Sequence, residues 1–321
     1  MRKLLTLLLI FCLFLPLGTA CQKEKQSIRI YTLNGTTGFG MAPLIADSKD
    51  GKTAGNYEFT VESDATVVRS ALLAGDADMA ALPTNVAASL YNATEGGVTV
   101  LALNTGGVLY VVSADSTLTS LAGLAGKTLY CPAQNPAFIT EALLKAAEVQ
   151  NITLDSTTYA APDALRDALA AGLVEHAVLP EPMVTVAKNA AAREGRTLTV
   201  ALDLTALWDE YFEAGSLTQG CLVVRTTFLK EHPEAVAEFL REYEASVQFV
   251  NENPEDAAEM IVAAGILSSA EVAKTAIPRC HLIFKTGEEM KTALSVFLSQ
   301  MPLKSIGGKL PGDDFYGVDV P

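Results

Sequence analysis

Apolar positions along the chain fall into two rhythms, one of short β-rich runs and one of three- and four-residue steps. The runs SIRIYTL (27–33), NYEFTV (56–61), DMAAL (78–82), VTVLAL (98–103), VLYVVS (108–113), KTLYC (127–131), HAVLP (176–180) and TQGCLVVR (218–225) predict strands. The stretches between them predict helices. One runs from Thr66 to Ala74 and is closed by Gly75. Another opens at Asn135 as N-cap with Pro136 as its first residue, and extends to about Val149. Asp163 caps a third, which ends at Gly172. Val236, Phe239, Leu240, Tyr243, Val247 and Val250 mark one face of a long amphipathic helix. Further helices are expected near 255–264, 269–276 and 287–300. Strands alternating with helices predict an α/β fold with mixed, mostly parallel sheets flanked by helices. A second unit begins near Ser120, and the 218–225 strand returns toward the first.

The pattern contains a repeat. ALLAGDADMAALPTN (71–85) and ALAAGLVEHAVLPEP (168–182) align without gaps at an offset of 97, with seven of fifteen positions identical. Each half then holds the same helix–Gly–strand–Pro unit. Thr84-Asn85 and Glu181-Pro182 fall at equivalent strand ends. Ligands of open α/β sheets sit beyond such carboxyl ends, so two facing halves make a polar cleft.

A chain of 321 residues suits two domains. With 37 acidic and 23 basic residues its net charge is −14, which argues against nucleic acid as a partner. The start, MRKLLTLLLIFCLFLPLGTAC, has a basic head, an apolar centre and a small-residue end, the form of an export signal. The expected division is a signal peptide at 1–20 and a tether at 21–26. Residues 27–110 plus 220–321 then form a discontinuous first lobe, and 111–219 a second. No apolar run after residue 20 approaches the roughly 20 residues that span a bilayer, which excludes an integral membrane transporter. The sequons at Asn34, Asn92 and Asn151 carry no meaning in an exported bacterial chain.

Catalytic patterns are missing. There is no G-x-S-x-G elbow, and His176, His232 and His281 neighbour no motif. Asp76 and Asp78 flank a turn and are expected to face solvent. The spacings of Cys131, Cys221 and Cys280 match no zinc pattern, and whether any two are bridged is open. No metal or cofactor is expected. Asn34 to Gly40 forms a glycine loop between a strand and a helix, suited to close backbone approach but not to a nucleotide.

Several stretches together resemble the solute-binding proteins of ABC importers. They are GTTGFG, LLAGDADMAALPTN, VLYVVS, LAGLAGKTLYCP, Glu181-Pro182 and IGGKLPGDDFYG. More narrowly they resemble the nitrate/sulfonate/taurine-binding group, which includes thiamine-precursor binders. The N-terminus resembles a lipobox, in which Cys21 is lipidated, although Leu17 sits one place early. The resemblance implies a two-lobe type II periplasmic-binding-protein fold and a monomer held to the outer face of the bacterial cell membrane. It implies capture of a small solute by hinge closure, with permease and ATPase subunits as partners and no enzymatic activity. The implied lining is Asn34, Thr36, Thr37, Phe39, Thr66, Thr84 and Asn85 from one lobe, and Gln134, Asn135 and Glu181 from the other. These loops hold no Lys or Arg, and Glu181 adds negative charge. A neutral, zwitterionic or heterocyclic solute therefore fits better than a plain anion, with sulfonate or taurine-like compounds and vitamin precursors as the classes considered. A same-fold enzyme of thiamine or menaquinone precursor metabolism and a ligand-presenting surface sensor are the alternatives.

Overall fold

The computed structural model describes residues 26–320. Cys21 and the expected export signal lie outside them. Among the described residues, eleven strands follow one another as β1 (Ser27–Leu33), β2 (Asn56–Glu62), β3 (Met79–Pro83), β4 (Val98–Thr105), β5 (Leu109–Ser113), β6 (Thr128–Tyr130), β7 (Thr153–Asp155), β8 (His176–Pro180), β9 (Thr199–Asp203), β10 (Gly220–Arg225) and β11 (Leu282–Lys285). They form two sheets, ordered β11-β4-β10-β3-β1-β2 and β7-β6-β8-β5-β9. We call each sheet with its flanking helices a lobe. The strands joined through helices pair in parallel, β1 with β2 and β3, and β6 with β7 and β8. The strands next to the crossings between sheets pair antiparallel, so both sheets are mixed.

The chain leaves the first sheet after Thr105 and joins the second at Leu109. It returns through Thr218 and Gln219 into β10. The two crossings hold each other. The Gln219 amide N–H donates to the Thr105 carbonyl at 3.0 Å, and the Val108 N–H donates to Gln219 Oε1 at 2.8 Å. Close approach explains the glycine beside them, since a Cβ on Gly107 would stand 2.1 Å from the Thr205 hydroxyl.

The repeat is preserved in three dimensions. Helix Ala65–Ala74, Gly75 at φ 78° and β3 correspond to helix Pro162–Ala170, Gly172 at φ 74° and β8. Both glycines turn the chain in the left-handed region, which costs a side-chain-bearing residue about 1 kcal/mol or more. The long helix Pro233–Glu252 buries all six residues of its apolar face. Between the lobes, Trp208 of helix Leu204–Tyr211 meets Phe297 of helix Gly287–Gln300 with ring centroids 5.7 Å apart.

Local details depart from expectation. Helix Asn135–Ala146 is capped by Gln134 at φ 67°, so Asn135 is its first residue and its side chain is free for other work. Helix Pro162–Ala170 is capped by Ala161. Asp163 lies in its first turn and pairs with Arg166 at 3.1 Å. Helices Thr84–Ala93, Met183–Arg193 and Leu204–Tyr211 and strands β7, β9 and β11 were not foreseen from the pattern. Cys131, Cys221 and Cys280 are buried free thiols. Burial pushes the Cys131 thiol up to about 12, where it stays protonated and unreactive.

Asp78 does not face solvent. It is 2% exposed and sits between two guanidinium groups. Arg29 donates to it through Nε at 3.0 Å and Nη2 at 2.8 Å, and Arg225 through Nη2 at 2.6 Å. Burial alone would raise its pKa. The hydrogen bonds from the two arginines and the Arg29 backbone outweigh that and hold it below the usual carboxylate value. Asp76, two residues earlier, is exposed as expected.

Candidate functional site

The carboxyl ends of β3, β4, β6 and β8, with the amino ends of the antiparallel β5 and β10, meet at a polar seam. Helices begin immediately beyond two of these ends, at Thr84 after β3 and at Met183 after β8. Helix Asn135–Ala146 begins beyond β6. Such helix starts leave backbone N–H groups unspent within the helix and carry partial positive charge.

Asn135 Nδ2 donates to Asn85 Oδ1 at 2.8 Å, joining the first turns of two helices from different lobes. Both residues are buried. Thr84 is tied to the return crossing, its N–H donating to the Gln219 carbonyl at 3.2 Å and its hydroxyl to the Thr218 carbonyl at 2.8 Å. Thr37 comes to the same region. Its carbonyl accepts from Asn104 Nδ2 at 3.4 Å, and that amide also reaches the Tyr243 hydroxyl at 3.0 Å.

Glu181 is 1% exposed, and its peptide to Pro182 is cis. Its backbone N–H donates to the Val108 carbonyl at 3.0 Å, placing it directly on the crossing. The Thr185 N–H and hydroxyl donate to its two carboxylate oxygens, each at 3.1 Å. Across the seam, Arg279 Nε donates to Glu181 Oε1 at 2.7 Å, and Arg279 Nη2 to the Thr185 hydroxyl at 2.9 Å. The charge of Glu181 is therefore balanced by a cation from the other lobe. This overturns the expectation of an uncompensated negative cleft. The loops read from the sequence hold no basic residue, but a turn 98 residues away supplies one. The backbone at Arg279 is fixed too, its carbonyl accepting from the Tyr110 hydroxyl at 2.8 Å.

The remaining expected residues are placed differently. Asn34 and Gln134 are exposed at the mouths of their turns, and Thr36 is half-buried. Thr66 is exposed in the first turn of its helix, where its N–H is capped by Asp64 Oδ1 at 2.7 Å. The ring of Phe39 is wholly buried among Met41, Leu44 and Tyr243, so in this conformation it fills core and lines no opening. His176 is buried in β8 with Nδ1 against the Ser113 hydroxyl at 2.9 Å, and burial lowers its pKa. It is a strand residue at the far end from the seam.

Several buried polar atoms near the crossings have no protein partner. They include Asn135 Oδ1, Thr205 Oγ1 and Thr218 Oγ1. A buried polar atom left unpaired costs about 1–3 kcal/mol, so these atoms keep hydrogen-bonding capacity that the chain itself does not use, as do Thr32 Oγ1, Asn92 Oδ1 and His176 Nε2 elsewhere. Among the described residues no His, Cys, Asp or Glu cluster could hold a metal ion, and no helix is long and apolar enough to cross a membrane.

Solved structures share this architecture. A protein described as an ABC transporter from Parabacteroides distasonis superposes with a TM-score of 0.76 at 22% identity, covering 90% of this chain and 98% of the other. The periplasmic aliphatic sulphonate binding protein of Escherichia coli does so at 0.67 and 13% identity, covering 91% and 96%. The alkanesulfonate-binding protein of Xanthomonas axonopodis, solved with MOPS, gives 0.60 and 14% over the same shares. At these identities the likeness establishes the fold, that of the periplasmic binding proteins. No curated protein matches the chain by sequence. A family profile does match, over residues 52–273, which span the whole second lobe and the strands that frame the seam, and by that match the chain belongs to the phosphonate-binding family of ABC transporter periplasmic substrate-binding proteins.

Proposed function

We propose that the protein captures a small organic solute in the seam between its lobes and delivers it to the permease and ATPase subunits of an importer. The lobes are 27–108 with 220–321, and 109–219, two residues from the expected bound of 110 because β5 begins at Leu109. They hinge at the paired crossings, so the Asn85–Asn135 contact opens and closes while the Gln219–Thr105 bond stays. The observation that carries this reading is the hydrogen bond between Asn85 and Asn135, two buried amides from opposite lobes, beside polar atoms with no protein partner. Thr37, Thr84, Asn85, Asn135 and Glu181 form the inner lining, and Asn34, Thr36 and Gln134 the rim. Thr66 and Phe39 take no direct part. Because Arg279 cancels the charge of Glu181, the seam does not repel an organic anion, and the match to the phosphonate-binding family favours that class over a neutral heterocycle. The protein works as a monomer and does no chemistry on its solute.

A thermal-shift screen over phosphonates, sulfonates, amino-sulfonates, pyrimidines and purine-like compounds tests this. A ligand at 100 times its Kd stabilises by about 2.7 kcal/mol, enough to raise Tm by several degrees. The reading fails if no member of the panel shifts Tm. It fails in its choice of class if only neutral heterocycles do.

Lipidation of Cys21 holds the protein to the outer face of the membrane. The export signal ending in Gly18-Thr19-Ala20-Cys21 supports this. Cells fed a clickable fatty acid label the wild type and not Cys21→Ala. Equal labelling of both rules the anchor out.

A further inference from the structure

We propose that Arg279 is the residue that reads the anionic group of the solute, and that Glu181 is the partner it keeps while no solute is bound. The inference rests on the capture role proposed above and names the contact that decides its substrate class.

Arg279 belongs to the turn Ile277–Arg279 of the first lobe, and its charge is delivered to the second. Its position is fixed on both sides. The Tyr110 hydroxyl holds its carbonyl, and two residues on the His281 carbonyl accepts from the Gly106 N–H at 2.9 Å. The guanidinium group thus stands at the crossing, where a hinge motion displaces it least. A guanidinium has three nitrogens and five N–H donors in a rigid plane. Nε and Nη2 are taken by Glu181 and Thr185, while no described residue takes Nη1. The exposure is one-sided as well. The Arg279 side chain is 32% exposed and the Glu181 side chain 0%. The carboxylate is enclosed, while part of the arginine side chain reaches solvent.

A buried carboxylate needs a cation, which accounts for the pair. It does not account for Nη1, which no described residue takes. Thr205 Oγ1 lies against Gly107 of one crossing, and Thr218 Oγ1 belongs to the other. A fixed guanidinium edge matches a phosphonate or sulfonate, whose several oxygens each accept hydrogen bonds and whose charge strengthens them. An uncharged head group would leave that edge unused.

The two roles give opposite signs. If Arg279 were only a strut for Glu181, removing either partner would weaken folding and binding together. If Arg279 reads the anion, Glu181 competes for it, and neutralising Glu181 strengthens anion binding.

The test is titration calorimetry of the full mature chain with methylphosphonate and ethanesulfonate, together with melting curves, on wild type, Arg279→Gln, Arg279→Lys and Glu181→Gln. Arg279→Gln is expected to bind about 100-fold more weakly or not measurably, and Arg279→Lys about 10-fold more weakly because it keeps charge but loses the planar edge. Glu181→Gln is expected to bind up to about 10-fold tighter than wild type. Raising salt should weaken wild-type binding and leave the residual binding of Arg279→Gln unchanged. Wild-type affinity in Arg279→Gln overturns the inference and leaves the capture role standing. A parallel loss of affinity and Tm in Arg279→Gln and Glu181→Gln overturns it in favour of a strut. Binding of neither probe to the wild type overturns the inference and the anionic reading together. If Glu181→Gln does not fold, the Lys and Gln variants at 279 and the salt dependence still decide it.

Discussion

The two copies of the helix–Gly–strand–Pro unit share a scaffold and differ in where they place charge. In both, the helix docks through the same positions, Val68 and Leu72 in one and Leu165 and Leu169 in the other, all buried. In both, a left-handed glycine turns the chain into a buried strand. The differences lie at the two ends of that strand. Before it, the first copy has Asp78, enclosed by Arg29 and Arg225, and the second has Glu175, 63% exposed. After it, the first copy presents the neutral pair Thr84-Asn85, and the second presents Glu181, enclosed and paired with Arg279. The buried carboxylate has thus moved from the far end of the strand to the seam. Packing is what the repeat conserves between its copies. Chemistry is set by one or two residues at the strand ends, with two arginines on Asp78 and one on Glu181.

The sharpest break in this comparison is at Asp78. Asp78→Asn leaves two guanidinium groups without their carboxylate and should destabilise the protein by about 3–5 kcal/mol, toward the lower figure because both arginines reach water. Urea unfolding followed by circular dichroism measures it. A loss under about 1 kcal/mol would show that the two arginines hold the strands without the charge. The same residue predicts a pH effect. Its folded pKa is depressed, so its contribution is complete above the ordinary aspartate value near 4 and is lost as pH falls from there through the folded value. Over that acidic range Asp78→Asn should lose less stability than wild type, and parallel curves would contradict the ion-pair account.

Next in size are the two glycines. Gly75→Ala and Gly172→Ala each force a left-handed residue and should cost about 1 kcal/mol, to within about 0.5 of each other. Unequal costs would mean that the two turns are alike only in outline. Smallest is Glu175→Gln, the counterpart of Asp78, which should change stability by no more than about 0.5 kcal/mol. A larger loss would place buried charge at the same end of both copies.

Much of the scaffold was readable because it is local. The strand runs, the long amphipathic helix and the repeat all depend on neighbours within a few residues, and the two strands of the repeat, 79–83 and 176–180, fall at the expected offset. The charge partners were not readable. Arg29 lies 49 residues from Asp78, Arg225 lies 147 from it, and Arg279 lies 98 from Glu181. No spacing rule connects them, and only the sheet order brings β1, β3 and β10 side by side. For the same reason Asp78 read as a solvent-facing turn residue. At the seam, Thr84, Asn85 and Glu181 were legible from the repeat and Asn135 from its place at a helix start. That Asn135 reaches Asn85 instead of capping its own helix depends on how the lobes meet.

The central claim is that these facing strand ends hold the solute. Its most direct test is a double-mutant cycle at Asn85 and Asn135, read by titration calorimetry with the ligand that gives the largest shift in the thermal screen. Each Ala variant should weaken binding by roughly 5–150-fold, corresponding to about 1–3 kcal/mol for a lost buried hydrogen bond. The double variant should lose less than the sum, because the two amides touch each other. Melting temperatures within a few degrees of wild type would show that folding is intact. Wild-type affinity in both single variants would contradict the claim and place the solute elsewhere on the protein.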